Sequence, residues 1–296
     1  MVLGIICIIL ASVTFGFAPV FSKEIQGSGM NTESMLAITS GFTVIVTGIA
    51  ILIGRVKPKV TKKQVWQMAV FCGGGFGLTI LLLCNSYRFL PIGLSTMFHF
   101  IYPVIVIVIM TVFFKERITI IKVVAILVAL IGLYLILDIS GGMSLVGVVL
   151  AVGSGFAYAI YVVAGRKCEY RELPVVITVF STVVVSFLGF SIIQLATGNM
   201  MLPPTPRVWL LIAGNSIISN LFALVMLTCA VRRLGASNTA IGNMLEPLTS
   251  LIAGSMIYGD IIPLVSIGGC VLILIAILLI AIGEKRASKG RIPPNL

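Results

Sequence analysis

The chain has 296 residues, of which 59% are hydrophobic and only 10% are charged, and its mean hydropathy is +1.20. Soluble domains carry roughly 25% charged residues, so this composition excludes a water-soluble protein and indicates an integral membrane protein. The net charge of +11 does not indicate nucleic-acid binding, because the basic residues lie between apolar runs rather than in clusters interleaved with aromatic residues. We therefore expect the chain to lie in a lipid bilayer and not to bind nucleic acid.

Ten apolar stretches with few or no charges are long enough to cross a bilayer as helices, which requires about 20 residues. In chain order they are 2–22, 34–54, 65–87, 93–114, 120–137, 143–165, 173–198, 208–231, 235–258 and 261–283. Their continuous apolar character favours helices over the alternating strands of a membrane barrel. The first stretch lacks the basic start of a signal peptide, so we expect it to be retained. The sequence thus predicts an all-α membrane protein with ten transmembrane helices.

Lysine and arginine are unevenly distributed among the connections. If the N-terminus is cytoplasmic, every basic residue except Lys23, Arg88 and Arg207 belongs to the inner side. This asymmetry places both termini, and a basic tail at 284–296, in the cytoplasm. We expect a multi-pass protein of the cell (plasma) membrane, present as a monomer or weak homodimer.

No motif indicates a metal, a cofactor or an enzymatic activity. The six cysteines are scattered without CxxC spacing, which argues against a zinc site or a disulfide framework. The chain contains no HExxH or Gly-x-Ser-x-Gly motif, and no Walker motif of an ATP-driven pump.

A weak internal repeat relates the two halves of the chain. Residues 88–116 align without a gap onto 232–260, so that Pro103 corresponds to Pro247. Each half then holds five helices, and this odd number forces the second half to enter the membrane from the opposite side. We predict two inverted five-helix repeats, 1–138 and 144–283. This is a recurring plan of secondary transporters, whose substrate site lies between the halves, and it argues against a channel.

Three short motifs resemble a known family: the basic turn Lys115-Glu116-Arg117-Ile118-Thr119, the step Leu245-Glu246-Pro247 and the segment Tyr87-Arg88-Phe89-Leu90-Pro91. Together with the two five-helix halves, they resemble the EamA-like branch of the drug/metabolite transporter superfamily over nearly the whole chain. The resemblance implies transport of amino acids, other small metabolites or drugs. The chain departs from the family at His99 and at Tyr258-Gly259-Asp260, which replaces a Gly-Glu-Arg-like turn.

Glu246 is the only carboxylate deep within any predicted span. An ionised side chain at the bilayer centre costs about 2.5–3.5 kcal/mol on insertion scales, so its presence calls for an explanation. We expect Glu246 to carry a proton or to balance the charge of a substrate ammonium group. The alternative is a neutral side chain hydrogen-bonded to a neighbouring helix.

Two polar stripes with the same spacing lie on predicted spans four and nine. The first comprises Ser95, His99 and Tyr102, and the second Thr239, Asn243 and Glu246. Because the repeat relates them, we expect both to face a cavity between the halves, where Ser95, His99, Tyr102, Asn243 and Glu246 bind substrate. For His99, the only histidine, the alternative is a packing residue with its hydrogen bonds satisfied.

Prolines and tyrosines complete the predicted site. Pro103 and Pro247 remove the hydrogen bonds to the carbonyls of His99 and Asn243, so we expect helix kinks, with either two free backbone acceptors or simple hinges. On span six, Tyr158 and Tyr161 provide aromatic rings with hydroxyl groups that suit an organic solute. On span eight, the polar residues Asn215, Ser216 and Asn220 are interpreted as helix packing.

The sequence therefore predicts a secondary-active transporter of small metabolites such as amino acids, which works as an exporter by alternating access with protons as the coupling ion. The alternative is a proton-coupled multidrug or organic-cation exporter. In that case Glu246 exchanges a proton for a lipophilic cation.

Overall fold

The computed structural model of the chain describes residues 2–90, 92–116, 118–136, 144–258 and 264–289. Within these ranges the regular secondary structure is helical, and no strand occurs. The prediction of an all-α protein is confirmed. Arg117, Gly259, Asp260 and the last residues of the predicted basic tail lie outside the described residues.

The α-helices of the described ranges are α1 (Val2–Phe15), α2 (Ala18–Gly27), α3 (Thr32–Ile53), α4 (Lys62–Gln67), α5 (Gly75–Ser86), α6 (Ile92–His99), α7 (Tyr102–Val112), α8 (Ile120–Ile136), α9 (Leu145–Lys167), α10 (Val175–Thr197), α11 (Pro206–Asn215), α12 (Ala223–Leu234), α13 (Ala236–Gly242), α14 (Glu246–Tyr258) and α15 (Leu264–Lys289). Two π-helical segments, Met68–Gly74 and Ser216–Phe222, join α4 to α5 and α11 to α12. Turns of 3-10 helix occur at Glu169–Glu172 and Asn243–Leu245.

Seven helical runs in the described residues are long and apolar enough to cross a membrane. They are Val2–Gly27, Thr32–Ile53, Lys62–Ser86, Leu94–Val112, Leu145–Lys167, Val175–Thr197 and Pro206–Leu234. Two shorter apolar helices cover Ile120–Leu135 and Leu264–Ile280. The count of ten spans stays a prediction.

Local sequence accounts for where several helices begin and end. The Asn31 side chain caps α3 by accepting a hydrogen bond from the Ser34 N–H at 2.8 Å. Thr61 and Gln64 form a reciprocal capping box at the start of α4. Helix α10 is terminated by the following residue, Gly198, whose φ of +66° is in the left-handed region that favours glycine.

Helices that are distant in sequence pack against one another: α1 with α12, α3 with α10, α5 with α9, and α8 with α15. Lipid is as apolar as a leucine side chain, so such contacts depend on close van der Waals fit between small residues. A Cβ atom added at Gly132 of α8 would lie 2.7 Å from the backbone oxygen of Gly269 in α15. A Cβ atom added at Gly73 would lie 2.0 Å from the Cβ of Val185 in α10. Both glycines therefore permit a close helix crossing.

Connections rich in lysine and arginine meet at one end of the helix bundle, which we call the basic end. Lys63 at the start of α4 forms an ion pair with Glu169, in the connection between α9 and α10. Lys167 lies over the Phe114 ring, with its Nζ 4.5 Å from the ring centroid. These contacts join the α3–α4, α7–α8 and α9–α10 connections.

The opposite end, which we call the mouth end, contains the α2–α3 and α10–α11 connections. The Asn31 side-chain amide donates a hydrogen bond to the Asn199 carbonyl at 2.7 Å. Arg207 forms an ion pair with Glu24 at 2.9 Å. The two connections are therefore tied directly to each other.

Arg232, near the end of α12, links several helices at the basic end. Its guanidinium donates to the Leu173 carbonyl at 2.6 Å and to Thr178 Oγ1 at 2.8 Å. The Arg232 carbonyl accepts a hydrogen bond from Arg166 Nη1 at 2.6 Å. One residue thus joins α9, α10 and α12.

Arg232→Gln is expected to lower the free energy of unfolding by about 1–3 kcal/mol, because charge-assisted donors are lost from partly buried acceptors. The measurement is thermal unfolding of the purified protein in detergent. Arg233→Gln removes the same charge from the exposed neighbouring residue and should leave the unfolding midpoint unchanged. Equal shifts for the two variants would contradict the assignment.

Candidate functional site

Glu246 begins α14, directly after the 3-10 turn Asn243–Leu245. Its Oε2 accepts a hydrogen bond from Asn243 Nδ2 at 3.0 Å. Asn243 Oδ1 lies 3.0 Å from Ser12 Oγ, whose single proton is shared between Asn243 Oδ1 and the Ile8 carbonyl. Ser12 belongs to α1, and the chain approaches α14 closely at Gly16, directly after α1. A Cβ atom added there would lie 3.1 Å from the Glu246 carbonyl oxygen. The carboxylate is therefore held through contacts between the two halves of the chain.

Glu246 lines a cavity of about 90 Å³, which we call the Glu246 cavity. Its walls come from α1, α2, α3, α5 and α10, and from α11, α14 and the second π segment. Hydroxyl and amide side chains on the wall are those of Ser22, Thr39, Ser40, Asn215, Ser219 and Asn220. Aromatic side chains on the wall are those of Phe15, Phe76, Tyr87 and Phe190. The cavity thus combines one acid with neutral polar groups and apolar rings.

Two buried polar atoms among the residues of this wall have no hydrogen-bond partner. They are Thr39 Oγ1 and Asn215 Oδ1, in residues that are 2% and 6% exposed. A buried polar atom without a partner costs about 1–3 kcal/mol, so both atoms are candidate contacts for a hydrogen-bond donor in the cavity. Among the described residues, no group of three His, Cys, Asp or Glu is placed to hold a metal ion.

A buried aromatic cluster contains four of the residues predicted for the site. The Tyr102 and Tyr158 ring centroids are 4.7 Å apart, the His99 ring lies 5.3–5.4 Å from both, and Tyr161 stacks on Tyr158 at 5.8 Å. His99 Nδ1 is 2.8 Å from Ser154 Oγ. The single Ser154 hydroxyl proton is donated to the Ala151 carbonyl, so His99 Nδ1 is assigned as the donor in this pair.

The rings of this cluster lie behind the wall of the Glu246 cavity, where Tyr161 packs against Phe76 of that wall with ring centroids 5.5 Å apart. Ser95, His99, Tyr102, Tyr158 and Tyr161 are all absent from the described lining of that cavity. Tyr102 does connect the halves, because its hydroxyl donates to the Ala240 carbonyl in α13 at 3.2 Å. Ser95 is fully buried, and its Oγ has no hydrogen-bond partner. Of the two predicted stripes, only Glu246 belongs to the described cavity wall, and the binding role of the remaining stripe residues stays a prediction.

Both prolines lie beside interruptions of the α-helix. Such interruptions agree with the helix kinks expected at these two positions. Pro103 is the second residue of α7, after the break that follows His99, and Pro247 follows the 3-10 turn. The expected free acceptor at Asn243 is wrong, because its carbonyl accepts a hydrogen bond from the Glu246 N–H. The His99 carbonyl is covered by α9, where a Cβ atom at Gly155 would lie 2.7 Å from its oxygen.

Comparison with known proteins identifies the family. The model of the EamA-like transporter family matches residues 2–138 and 145–282. The chain belongs to the EamA-like transporter family. The resemblance seen in the sequence motifs is thereby confirmed, and this EamA-like protein is a multi-pass membrane transporter.

Relatives of this EamA-like protein are themselves named only as uncharacterized transporters. One from Synechocystis sp. is 27% identical over 249 residues, which cover 81% of this chain and 73% of the relative. Another from Archaeoglobus fulgidus is 23% identical over 276 residues, covering 93% and 95%. A protein of known crystal structure superposes with a TM-score of 0.77 at 14% identity, over 96% of this chain and 98% of the other. That likeness concerns the fold alone.

Sequence patterns in this EamA-like protein identified Glu246 but not the neutral acceptors beside it. Thr39 belongs to no motif, and the only available signal was the row of hydroxyl residues along the second span. Asn215 and Asn220 were assigned to helix packing, yet both line the Glu246 cavity. Ser216 does pack, because its hydroxyl proton is shared between the Thr39 carbonyl, at 3.0 Å, and the Ile212 carbonyl of its own helix, at 2.7 Å.

Proposed function

We propose that the chain is a secondary-active exporter of small metabolites such as amino acids, and that it works by alternating access with Glu246 as the proton-coupling residue. The observation that carries this proposal is the Glu246 cavity. Its walls come from both halves of the chain, and it joins one carboxylate to two unpartnered polar atoms.

The arrangement of helices supports two inverted repeats, 1–138 and 144–283. If the halves correspond helix by helix, the α1–α12 contact joins the first helix of the first half to the third helix of the second half, and the α5–α9 contact joins the third helix of the first half to the first helix of the second. The α3–α10 and α8–α15 contacts each join a helix to its own counterpart in the other half. The π segments also correspond, because each has seven residues and interrupts the third helix of its half. The family model, moreover, matches the chain twice. Such symmetry lets one half rock against the other around a shared site.

The distribution of charge supports the proposed orientation. Lys63, Arg166, Lys167 and Arg232 lie together at the basic end. By the positive-inside rule this end faces the cytoplasm, along with both termini, and the mouth end faces outward. We infer a location in the cell membrane, as a monomer or weak homodimer.

The size of the Glu246 cavity supports a mechanism with at least two conformations. Pockets for small-molecule ligands usually measure about 300–1,000 Å³, whereas this cavity measures only about 90 Å³. A substrate of amino-acid size therefore requires the halves to separate further. In the alternating-access cycle this widening occurs on one side at a time.

The chemistry of the wall supports an amine-bearing substrate. A carboxylate balances the charge of an ammonium group. The three N–H donors of the ammonium group match acceptors such as Thr39 Oγ1 and Asn215 Oδ1. Proton and ammonium would then compete for Glu246. This competition couples their movement in opposite directions.

One observation favours the alternative, a proton-coupled exporter of multiple drugs or organic cations. Four aromatic side chains, those of Phe15, Phe76, Tyr87 and Phe190, share the cavity with Glu246. Aromatic rings bind lipophilic cations through stacking and cation–π contacts. The two candidates differ in whether the neutral polar groups or the rings select the substrate.

Counterflow in proteoliposomes tests the proposal. Vesicles loaded with an unlabelled amino-acid mixture should accumulate labelled amino acids in the presence of wild-type protein. Asn215→Leu should abolish this accumulation, because the substrate amine loses an acceptor. Asn85→Leu is the matched control, since among the described residues the Asn85 amide bonds within its own helix, to the Leu81 carbonyl, and does not line the Glu246 cavity. Accumulation of cationic dyes but of no amino acid would establish the alternative instead.

A further inference from the structure

A second and larger cavity lies at the mouth end. It measures about 740 Å³, within the usual range for small-molecule sites. It lies among the α2–α3 connection, the residues that follow α5 and the C-terminal end of α10. None of the described residues that line it also lines the Glu246 cavity. The two cavities are therefore separate in this conformation, and we call the larger one the mouth cavity.

The mouth cavity carries one positive and one negative side chain. Arg88 follows α5 and is exposed, and Glu33 lies in the first turn of α3 and is partly buried. The ion pairs of the described residues, Lys63–Glu169, Lys122–Glu116 and Arg207–Glu24, include neither of them. A glutamate in a first helical turn also interacts favourably with the helix dipole. The helix dipole therefore explains why a glutamate occurs at position 33, but it does not explain the presence of Arg88 on the wall of the same cavity.

Two amide side chains on the same wall have unsatisfied hydrogen-bonding atoms. Gln194 is only 4% exposed, yet neither its Oε1 nor its Nε2 has a hydrogen-bond partner. Gln26 Nε2 is likewise buried without a partner. Buried polar atoms without a partner destabilise the protein, so a ligand that supplies both donors and acceptors binds favourably to them. Methionine side chains form an apolar part of the wall.

We propose that the mouth cavity is a binding site for a zwitterionic metabolite, namely a free amino acid. Arg88 binds the carboxylate, Glu33 binds the ammonium group, and the amides of Gln194 and Gln26 contribute further hydrogen bonds. Met30 and Met200, which are soft and adaptable, accommodate side chains of different shape. A lipophilic cation has no group for Arg88, so this site selects against it. The part that the site plays in export rests on the proposed function, whereas binding itself does not.

The test is calorimetric titration of the full-length protein in lipid nanodiscs with L-methionine, L-leucine and L-glutamine. At least one of them should bind, and both Arg88→Gln and Glu33→Gln should weaken its binding about tenfold or more, because each removes a charge-assisted contact. Arg88→Lys keeps the charge and should retain more affinity than Arg88→Gln. N-Acetyl-L-methionine and L-methioninol, which each lack one charge of L-methionine, should bind about tenfold more weakly. Size-exclusion profiles confirm that each variant is folded.

The matched controls are Arg207→Gln and Glu24→Gln, which remove charges from the ion pair at the same end. Both should bind amino acids as the wild type does. The proposal is overturned if none of the three amino acids binds the wild type, if Arg88→Gln and Glu33→Gln bind as tightly as the wild type, or if the singly charged analogues bind equally well. Glu246→Gln separates the two proposals. If it retains proton-driven transport while Arg88→Gln loses binding, only the proposed function fails.

Discussion

Glutamine in place of Glu246 is expected to abolish transport driven by a pH gradient, while exchange of substrate across the membrane remains measurable. Glutamine has nearly the same size, and its Oε1 still accepts the hydrogen bond that Asn243 Nδ2 donates to the carboxylate. It cannot bind or release a proton, so the coupling step is lost while the cavity keeps its shape. The effect separates driven transport from passive exchange.

The measurement compares substrate movement in proteoliposomes with and without an imposed pH gradient. Glu172→Gln is the matched control, because it makes the same chemical change at an exposed carboxylate in the α9–α10 connection. Driven transport by Glu246→Gln at the wild-type rate would show that Glu246 does not carry the proton. Loss of both driven transport and exchange would mean instead that its charge is needed for substrate binding.

Alanine at Gly73 is expected to lower the free energy of unfolding by about 1–3 kcal/mol, the usual cost of overpacking. The added Cβ would lie 2.0 Å from the Cβ of Val185, an atom fixed to the backbone of α10. The neighbouring helix must therefore move, because no flexible side-chain end can turn away. The clash falls in the first π segment, which packs directly against α10.

Thermal unfolding of purified Gly73→Ala should show a midpoint several degrees below that of the wild type. Gly189→Ala is the control, because it makes the same change in α10 at a position where an added Cβ meets no atom within 4 Å. Its midpoint should stay the same or rise, since alanine favours the helix. An unchanged midpoint for Gly73→Ala would mean that the two helices are not packed as described.

The sequence predicted the all-α class correctly because the requirement for a membrane helix is simple, whereas the count of ten spans stays a prediction. Uncharged runs of about 20 residues locate membrane helices from local information alone. The caps at Asn31 and Thr61 were identified only in the structure. The helix interruptions were only partly predictable. Pro103 and Pro247 predict the helix breaks beside them. No residue type predicts the π segment Met68–Gly74, because it depends on packing against neighbouring helices.

The site was harder to predict, because its walls come from helices far apart in sequence. Glu246 was found from its high insertion cost alone. The spacing of His99 and Tyr102 suggested that they share its cavity, yet these rings pack against Tyr158 and are absent from the described cavity lining. Thr39 could not have been chosen among many intramembrane hydroxyl groups, since only the tertiary structure shows which of them lacks a partner.

The two π segments have a consequence for how the protein tolerates change in length. Inserting one residue into a regular α-helix turns everything beyond it by about 100°, which would point lipid-facing side chains inward. A widened π turn takes up one extra residue locally, so the helix on either side keeps its original face. Met68–Gly74 and Ser216–Phe222 are therefore the positions where a relative could lose a residue from the middle of a membrane helix and keep the same fold.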